Sequence, residues 1–375
     1  MSAATLGDLI ELQRGYDLPE PERRPGSVPV IGSAGITGYH DTARVRGPGV
    51  TIGRSGASFG KVSFVREDFW PHNAALFVKD FKGNDPQFIR YLLEATDFSS
   101  LNSGSAQQSL NRNYVYGVSL RRYQLDEQRR IASILAAYDD LVENCQRRIR
   151  ILEDMARGLY REWFVHFRFP GAESLPRVDS ALGPIPQGWD VARLDDLLVL
   201  QRGFDLPKGE RCEGEVPVVA ATGVTGFHSE ARVRGPGVVT GRSGSIGEVL
   251  YVQEDFWPLN TTLWVKDFAR SKPLIAYYAL SAIDLKQFNS GAAVPTLNRN
   301  DVHGLPVVIP PMEIQRTFEG FAGAMHRQVR TLQIKITNLR RTRDLLLPRL
   351  MSGQIDLPLD LDAEIAGRLP AASLV

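Results

Sequence analysis

The residues in this chain that can do chemistry are arginines and asparagines set among glycines, and each cluster is written twice. Arg14-Gly15-Tyr16 returns as Arg202-Gly203-Phe204, Arg54-Ser55-Gly56 as Arg242-Ser243-Gly244, and Asn111-Arg112-Asn113 as Asn298-Arg299-Asn300. Asn102-Ser103-Gly104 returns as Asn289-Ser290-Gly291. A guanidinium can fork onto guanine or a phosphate, and an asparagine amide matches the edge of adenine. Glycine lets the backbone approach a ligand closely. The chemistry offered is therefore recognition of DNA. The candidate contacts are Arg14, Tyr16, Arg54, Ser55, Lys61, Asn73, Asn111 and Arg112 in the first half. Those in the second half are Arg202, Phe204, Arg242, Ser243, Asn260, Asn298 and Arg299. Turns need glycine and asparagine too, so taken singly each is also explained as a turn carrying a surface arginine. Their joint recurrence suits a shared ligand, and maintenance of the fold after duplication explains it as well.

Catalytic arrangements do not stand out. Gly56-Ala57-Ser58-Phe59-Gly60-Lys61 has the wrong spacing for a nucleoside-triphosphate loop, and Val62 stands where a hydroxyl residue is required. Its counterpart ends in Gly247-Glu248, which would repel phosphate. Gly241, Gly244 and Gly247 are three apart, unlike a dinucleotide fingerprint, and sit in a hairpin-like context. His40 and His228 occupy equivalent, isolated places and are expected to cap or pack a turn. No Asn-Pro-Pro-Tyr tetrad and no nuclease carboxylate cluster is evident. The expectation is a protein without catalytic residues, bound metal or cofactor of its own. Only Cys145 and Cys212 are present, which indicates no disulfide framework. No apolar run reaches membrane-span length and Met1-Ser2-Ala3-Ala4-Thr5 does not resemble a signal peptide, so a cytoplasmic protein is expected. A formal net charge of +1 is low for a lone DNA-binder. Either the cations are gathered on one face or a partner supplies further phosphate contacts.

What positions these residues is a duplicated domain. The stretch ARVRGPGVTIGRSG from Ala43 returns as ARVRGPGVVTGRSG from Ala231, an offset of 188 that falls to 187 after one residue is lost between Ser243 and Gly247. Each half opens with short alternating runs such as Lys61–Val65 and Thr262–Val265, which predict strands and turns, with helices near Gln87–Glu94 and Leu274–Ala282. Each half then changes character. Apolar residues recur every seven at Ile131, Tyr138, Cys145, Leu152 and Leu159, beside Leu135, Val142, Ile149 and Ala156. The second half repeats this at Phe318, Met325, Leu332, Leu339 and Leu346, beside Ala322, Val329 and Ile336. Such a repeat predicts coiled-coil helices. Pro348 is expected to bend or end the second near Arg349.

The fold class expected is α+β. Two similar recognition domains would be separated by two long antiparallel helices, with pseudo-twofold symmetry. The segments are residues 1–122 and 169–310 for the domains, 123–168 and 311–353 for the helical spacers, and 354–375 for an acidic tail. Leu182–Trp189 reads as a rigid linker anchored by its tryptophan. Residues 313–350 are notably basic, with Arg316, Arg327, Arg330, Lys335, Arg340, Arg341, Arg343 and Arg349 against Glu313, Glu319 and Asp344. That face suits solvent, or else the DNA backbone or the acidic face of a partner.

In this order and spacing the chain resembles the specificity subunit of Type I restriction–modification systems over nearly its whole length. The carriers are Gln13-Arg14-Gly15 and Gln201-Arg202-Gly203, Gly183-Pro184-Ile185-Pro186-Gln187-Gly188-Trp189, and the helix starts Asp126-Glu127-Gln128 and Glu313-Ile314-Gln315. The closing Leu347-Pro348-Arg349-Leu350-Met351-Ser352-Gly353 completes them, while no Pro-Gln-Gly-Trp precedes the first domain. The resemblance implies a subunit without catalysis, each domain reading one half of a split site in double-stranded DNA. It implies that the helices set the spacer and dock two modification (methyltransferase) subunits, which flip and methylate adenine. Restriction (motor-nuclease) subunits would then join. S-adenosylmethionine, ATP and Mg would reside on those partners. Because the two domains are so alike, the half-sites should be near-inverted repeats, differing where Lys61 faces Glu248, His72 faces Leu259, and Gln107-Gln108-Ser109 faces Val294-Pro295-Thr296. A Type IIB-like recognition subunit and a coiled-coil scaffold that binds no DNA are the alternatives.

Overall fold

The computed structural model describes residues 3–102 and 108–355. Expectations placed on Ser103, Gly104, Gln107 and residues 356–375 of the acidic tail lie outside the described residues. The first half contains β1 (Ala3–Thr5), α1 (Leu6–Leu9), β2 (Glu11–Arg14), β3 (Val28–Gly32), β4 (Gly35–His40), β5 (Gly49–Gly53), β6 (Val62–Val65), β7 (Trp70–Pro71), β8 (Ala75–Asp80), α2 (Pro86–Glu94), α3 (Arg112–Tyr116) and β9 (Ser119–Arg121). The long helix α4 (Leu125–Tyr160) follows. The short strands β10 (Arg177–Val178) and β11 (Ile185–Pro186) come next. The second half repeats the first as β12 (Asp190–Arg193), α5 (Leu194–Leu197), β13 (Val199–Arg202), β14 (Val216–Ala220), β15 (Gly223–His228), β16 (Gly237–Gly241), β17 (Val249–Val252), β18 (Trp257–Pro258), β19 (Thr262–Asp267), α6 (Pro273–Ala282), α7 (Arg299–His303) and β20 (Pro306–Ile309). The chain then enters α8 (Met312–Ser352). Among the described residues no helix is long and apolar enough to cross a membrane.

The chain folds as two compact units, Met1–Cys145 with Ile334–Val375, and Gln146–Gln333. In the first unit β2-β8-β5-β6 form an antiparallel sheet, and β4-β3-β7 a smaller one in which β3 and β7 run parallel. The central strand β5 is buried along its whole length, Thr51 included. Helix α2 lies over β5 and β6. Asp85 caps it by accepting the Phe88 N–H at 2.8 Å, and Pro86 sits where no intrahelical N–H is needed. Beneath it Leu12, Ile52, Leu76, Phe88, Ile89 and Leu93 form the core.

The second unit repeats the two sheets as β13-β19-β16-β17 and β15-β14-β18, with α6 over β16 and β17. The expected linker is more structured than a spacer, because β10 pairs with β11. Its tryptophan is the anchor: Trp189 is buried and stacks on Phe169 at 5.3 Å.

All residues of the seven-residue rows are buried or half-buried, whereas Leu141, Ile151, Met155, Phe321, Ile334 and Leu345, off those rows, are exposed. Within the first unit the helical segments run in opposite senses. The Tyr123 hydroxyl just ahead of α4 donates to the Leu350 carbonyl at 2.7 Å, while Asp139 further along pairs with Arg343. Pro348 does not end α8, which runs on to Ser352. One hydrogen bond is forfeited at the proline. Burial of Leu350 and Met351, and the Tyr123 bond, hold the last turn, and Gly353 closes it in the left-handed region at φ 72°. The glutamines of the two helix-start motifs are buried clamps. Gln128 accepts the Asp85 N–H and donates to the Tyr123 carbonyl, and Gln315 accepts the Lys272 N–H and donates to the Pro310 carbonyl.

Candidate nucleic-acid interface

The sheets end where the arginine clusters begin. In the second unit Arg202 closes β13 and Arg242 follows β16, while Asn298 and Arg299 open α7. The Leu297 N–H donates to the Arg242 carbonyl at 2.8 Å, and Ser243 bridges Thr296, so the α7 loop is stitched to the end of β16. The result is a cleft of about 370 Å³ lined by Arg202, Arg242, Asn298 and Arg299 together with Leu263, Ser290, Thr296 and Leu297. Three guanidiniums share that cleft, and no carboxylate lines it. Beside it, Asp205 lies 3.7 Å from Arg202 and accepts the Asn260 amide.

The first unit builds the same arrangement. Arg14 ends β2, the Leu110 N–H donates to the Arg54 carbonyl, and Ser55 bridges Ser109. Burial, and then the charge of Arg14, hold the Arg54 guanidinium below the ordinary arginine value, and its Nε meets no acceptor.

Several candidates have structural work as well. Asn111 and Asn298 cap α3 and α7, accepting the N–H of Asn113 and Asn300 at 3.0 and 3.1 Å. Arg112 donates to the Leu12 carbonyl at 3.2 Å and Arg299 to the Leu200 carbonyl at 3.4 Å. Tyr16 is half-buried against Trp70 and Phe77, and Phe204 against Trp257 and Trp264. Asn73 donates to Asp17 as Asn260 does to Asp205. Lys61 is exposed and lies just before β6, which starts at Val62. The glycines also answer to the protein's own backbone. A Cβ on Gly15 or Gly203 would lie 2.2 Å from the carbonyl oxygen of His72 or Leu259. His40 and His228 pack as expected, each accepting a backbone N–H at 3.0 Å and meeting a tryptophan edge-on.

Sequence reasoning passed over Arg44 and Arg232. Both are exposed and stack over Trp70 and Trp257, at 4.9 and 4.8 Å from the ring centres. Their signal was available, since both lie inside the longest repeated stretch. The basic run of α8 is partly spent internally, with Arg330 paired to Glu254 and Arg343 to Asp139. Among the described residues no group of histidine, cysteine or carboxylate side chains could hold a metal ion.

One domain made twice, each copy gathering arginines and asparagines at its strand ends and each tied to a long helix, defines a duplicated recognition protein. The chain belongs to the family of the Type I restriction modification DNA specificity domain, whose model matches residues 2–153 and again residues 186–318. The Type I restriction enzyme MjaIX specificity subunit of Methanocaldococcus jannaschii is 24% identical over 340 residues, covering 83% of this chain and 79% of that protein. The EcoprrI specificity subunit of Escherichia coli is 26% identical over 159 residues, 41% of this chain and 40% of that protein. The crystal structure of the Type I restriction–modification S subunit from M. genitalium shares the fold, with a TM-score of 0.67 at 17% identity over 95% of this chain and 96% of that one.

Proposed function

We propose that this chain is the DNA sequence-specificity subunit of a Type I restriction–modification complex and does no catalysis itself. Each domain reads one half of a bipartite site in double-stranded DNA. The observation that carries this reading is the convergence of Arg202, Arg242, Arg299 and Asn298 on one cleft without a lining carboxylate, in a domain the sequence repeats. Guanidiniums at that spacing suit phosphates and guanine edges, and the asparagine suits adenine. The near identity of the two sets of cleft residues favours a near-palindromic pair of half-sites.

The long helices set the distance between the half-sites and dock two methyltransferase subunits, to which motor-nuclease subunits are added. S-adenosylmethionine, ATP and Mg belong to those subunits, which work with this chain in the cytoplasm. The modest net charge fits a protein whose partners contribute phosphate contacts. The test is single-molecule sequencing of methylated adenine in the host with and without this gene. A split motif with near-inverted halves, lost on deletion, is expected. Persistence of every motif without the gene would overturn the function, and unrelated halves would overturn the near-palindrome.

A further inference from the structure

The two units differ at one place where their backbones agree, beneath the helix that covers the larger sheet. In the first unit this place is filled by charge. Arg90 on α2 binds Glu94 at 2.9 Å and Asp139 at 2.7 Å, and Arg343 binds Asp139 and Asp344. At the offset of 187 the second unit carries Tyr277 for Arg90, Ser281 for Glu94 and His326 for Asp139. Along the helices, Ala156 stands for Arg343 and Arg157 for Asp344. The other four replacements are neutral, so the ion network is gone, and a cavity of about 490 Å³ lies among Arg157, Tyr160, Arg161, Val249, Tyr277 and Tyr278. That volume falls within the roughly 300–1,000 Å³ of small-ligand pockets.

The walls define what fits. Tyr160 stacks on Tyr278 at 5.2 Å and 24°, and Tyr277 meets Tyr278 edge-on at 4.7 Å, giving an aromatic wall with ring faces and edges at an angle to one another. Arg157 and Arg161 are four apart, one above the other on one helix face. Asp154 draws on Arg157 from 3.8 Å, and Glu153 also faces it, whereas Arg161 has no ion-pair partner among the described residues. The Tyr160 hydroxyl likewise has no hydrogen-bond partner there. At Arg161 the helix widens into a π turn, Arg161–Val165, whose two ends both line the cavity. Such turns are frequent at functional sites.

We propose that this cavity of the second unit is a binding site for a small ligand that joins a planar aromatic ring to an anionic group, as a mononucleotide does. The ring lies against the tyrosines and the anion is held by Arg161, with Arg157 in support. The first unit has a cavity of similar volume beside Ala95, Pro348 and Ser352, the counterparts of Ala282, Arg161 and Val165, but no tyrosine lines it and Pro348 stands where Arg161 does. This inference is independent of the DNA cleft.

The test is isothermal titration of the full chain with adenosine 5′-monophosphate, with adenosine and inorganic phosphate as part-ligands. One saturable site is expected, with each part-ligand weaker by at least about fivefold, since stacking and charge are each worth about 1 kcal/mol or more in such a site. Arg161→Ala should weaken binding by a similar factor. Ser281→Glu, which installs the first unit's carboxylate, should abolish it. Arg242→Ala in the DNA cleft should leave it unchanged. No saturable binding would overturn the proposal. So would equal binding of phosphate alone, or binding lost in Arg242→Ala but kept in Arg161→Ala.

Discussion

Removing Arg14 and Arg202 together tests the recognition clefts most directly. Both are exposed strand-end arginines, and neither is tied to a backbone carbonyl as Arg112 and Arg299 are. Arg14→Ala with Arg202→Ala should therefore leave the fold intact. If each holds one phosphate, each contributes about 0.9 to the slope of log affinity against log salt, so the pair contributes about 1.8. Between 50 and 200 mM salt the wild type should then lose roughly 12-fold more affinity than the double variant. Fluorescence anisotropy measures this on a duplex carrying the methylated site mapped in the host, using the chain with its methyltransferase partner. Arginine-to-lysine variants separate the roles. Lysine keeps the slope at a phosphate, whereas at a guanine it gives up part of the bidentate fork, worth about 1–3 kcal/mol of base discrimination. Identical affinity and slope in wild type and double alanine variant would refute the assignment of these clefts.

Three further outcomes follow from the packing. Asp139→Ala strips partners from Arg90, Tyr91 and Arg343, whose ion-pair groups are only 18–24% exposed, and should cost about 2 kcal/mol in denaturant unfolding, less than a fully buried pair. Burial pushes His326 from 6.5 down to about 4, where it meets the Tyr278 hydroxyl at 2.8 Å. The unfolded chain thus binds a proton first, and stability should fall as pH drops from about 6.5 towards 4, by up to about 3 kcal/mol, a loss that His326→Phe should remove when unfolding is followed at pH 7 and pH 5. Gly203→Ala drives a methyl against the Leu259 carbonyl, and a destabilisation of at least about 2 kcal/mol is expected by the same measurement.

Repetition and period are properties of the linear chain, and they determined most of the architecture. The offset of 187–188 residues announced two copies of one domain, and the seven-residue rows marked the buried faces of α4 and α8 ahead of Leu141 or Phe321, which are as apolar but exposed. The paired clusters around Arg202, Arg242 and Arg299 were legible as well, because duplication preserved them. The division of labour among them was not. Asn298 caps a helix, and Arg299 reaches a strand carbonyl 99 residues away. Gly203 makes room for a backbone more than fifty residues distant, and the helix turn beyond Pro348 is held at the Leu350 carbonyl by a tyrosine hydroxyl 227 residues earlier. Hydrogen bonds and close packing form between groups adjacent in space, whatever their separation along the chain. Spacing therefore revealed which residues recur, and only the tertiary fold decided which are committed to holding the domain together and which are left facing the cleft.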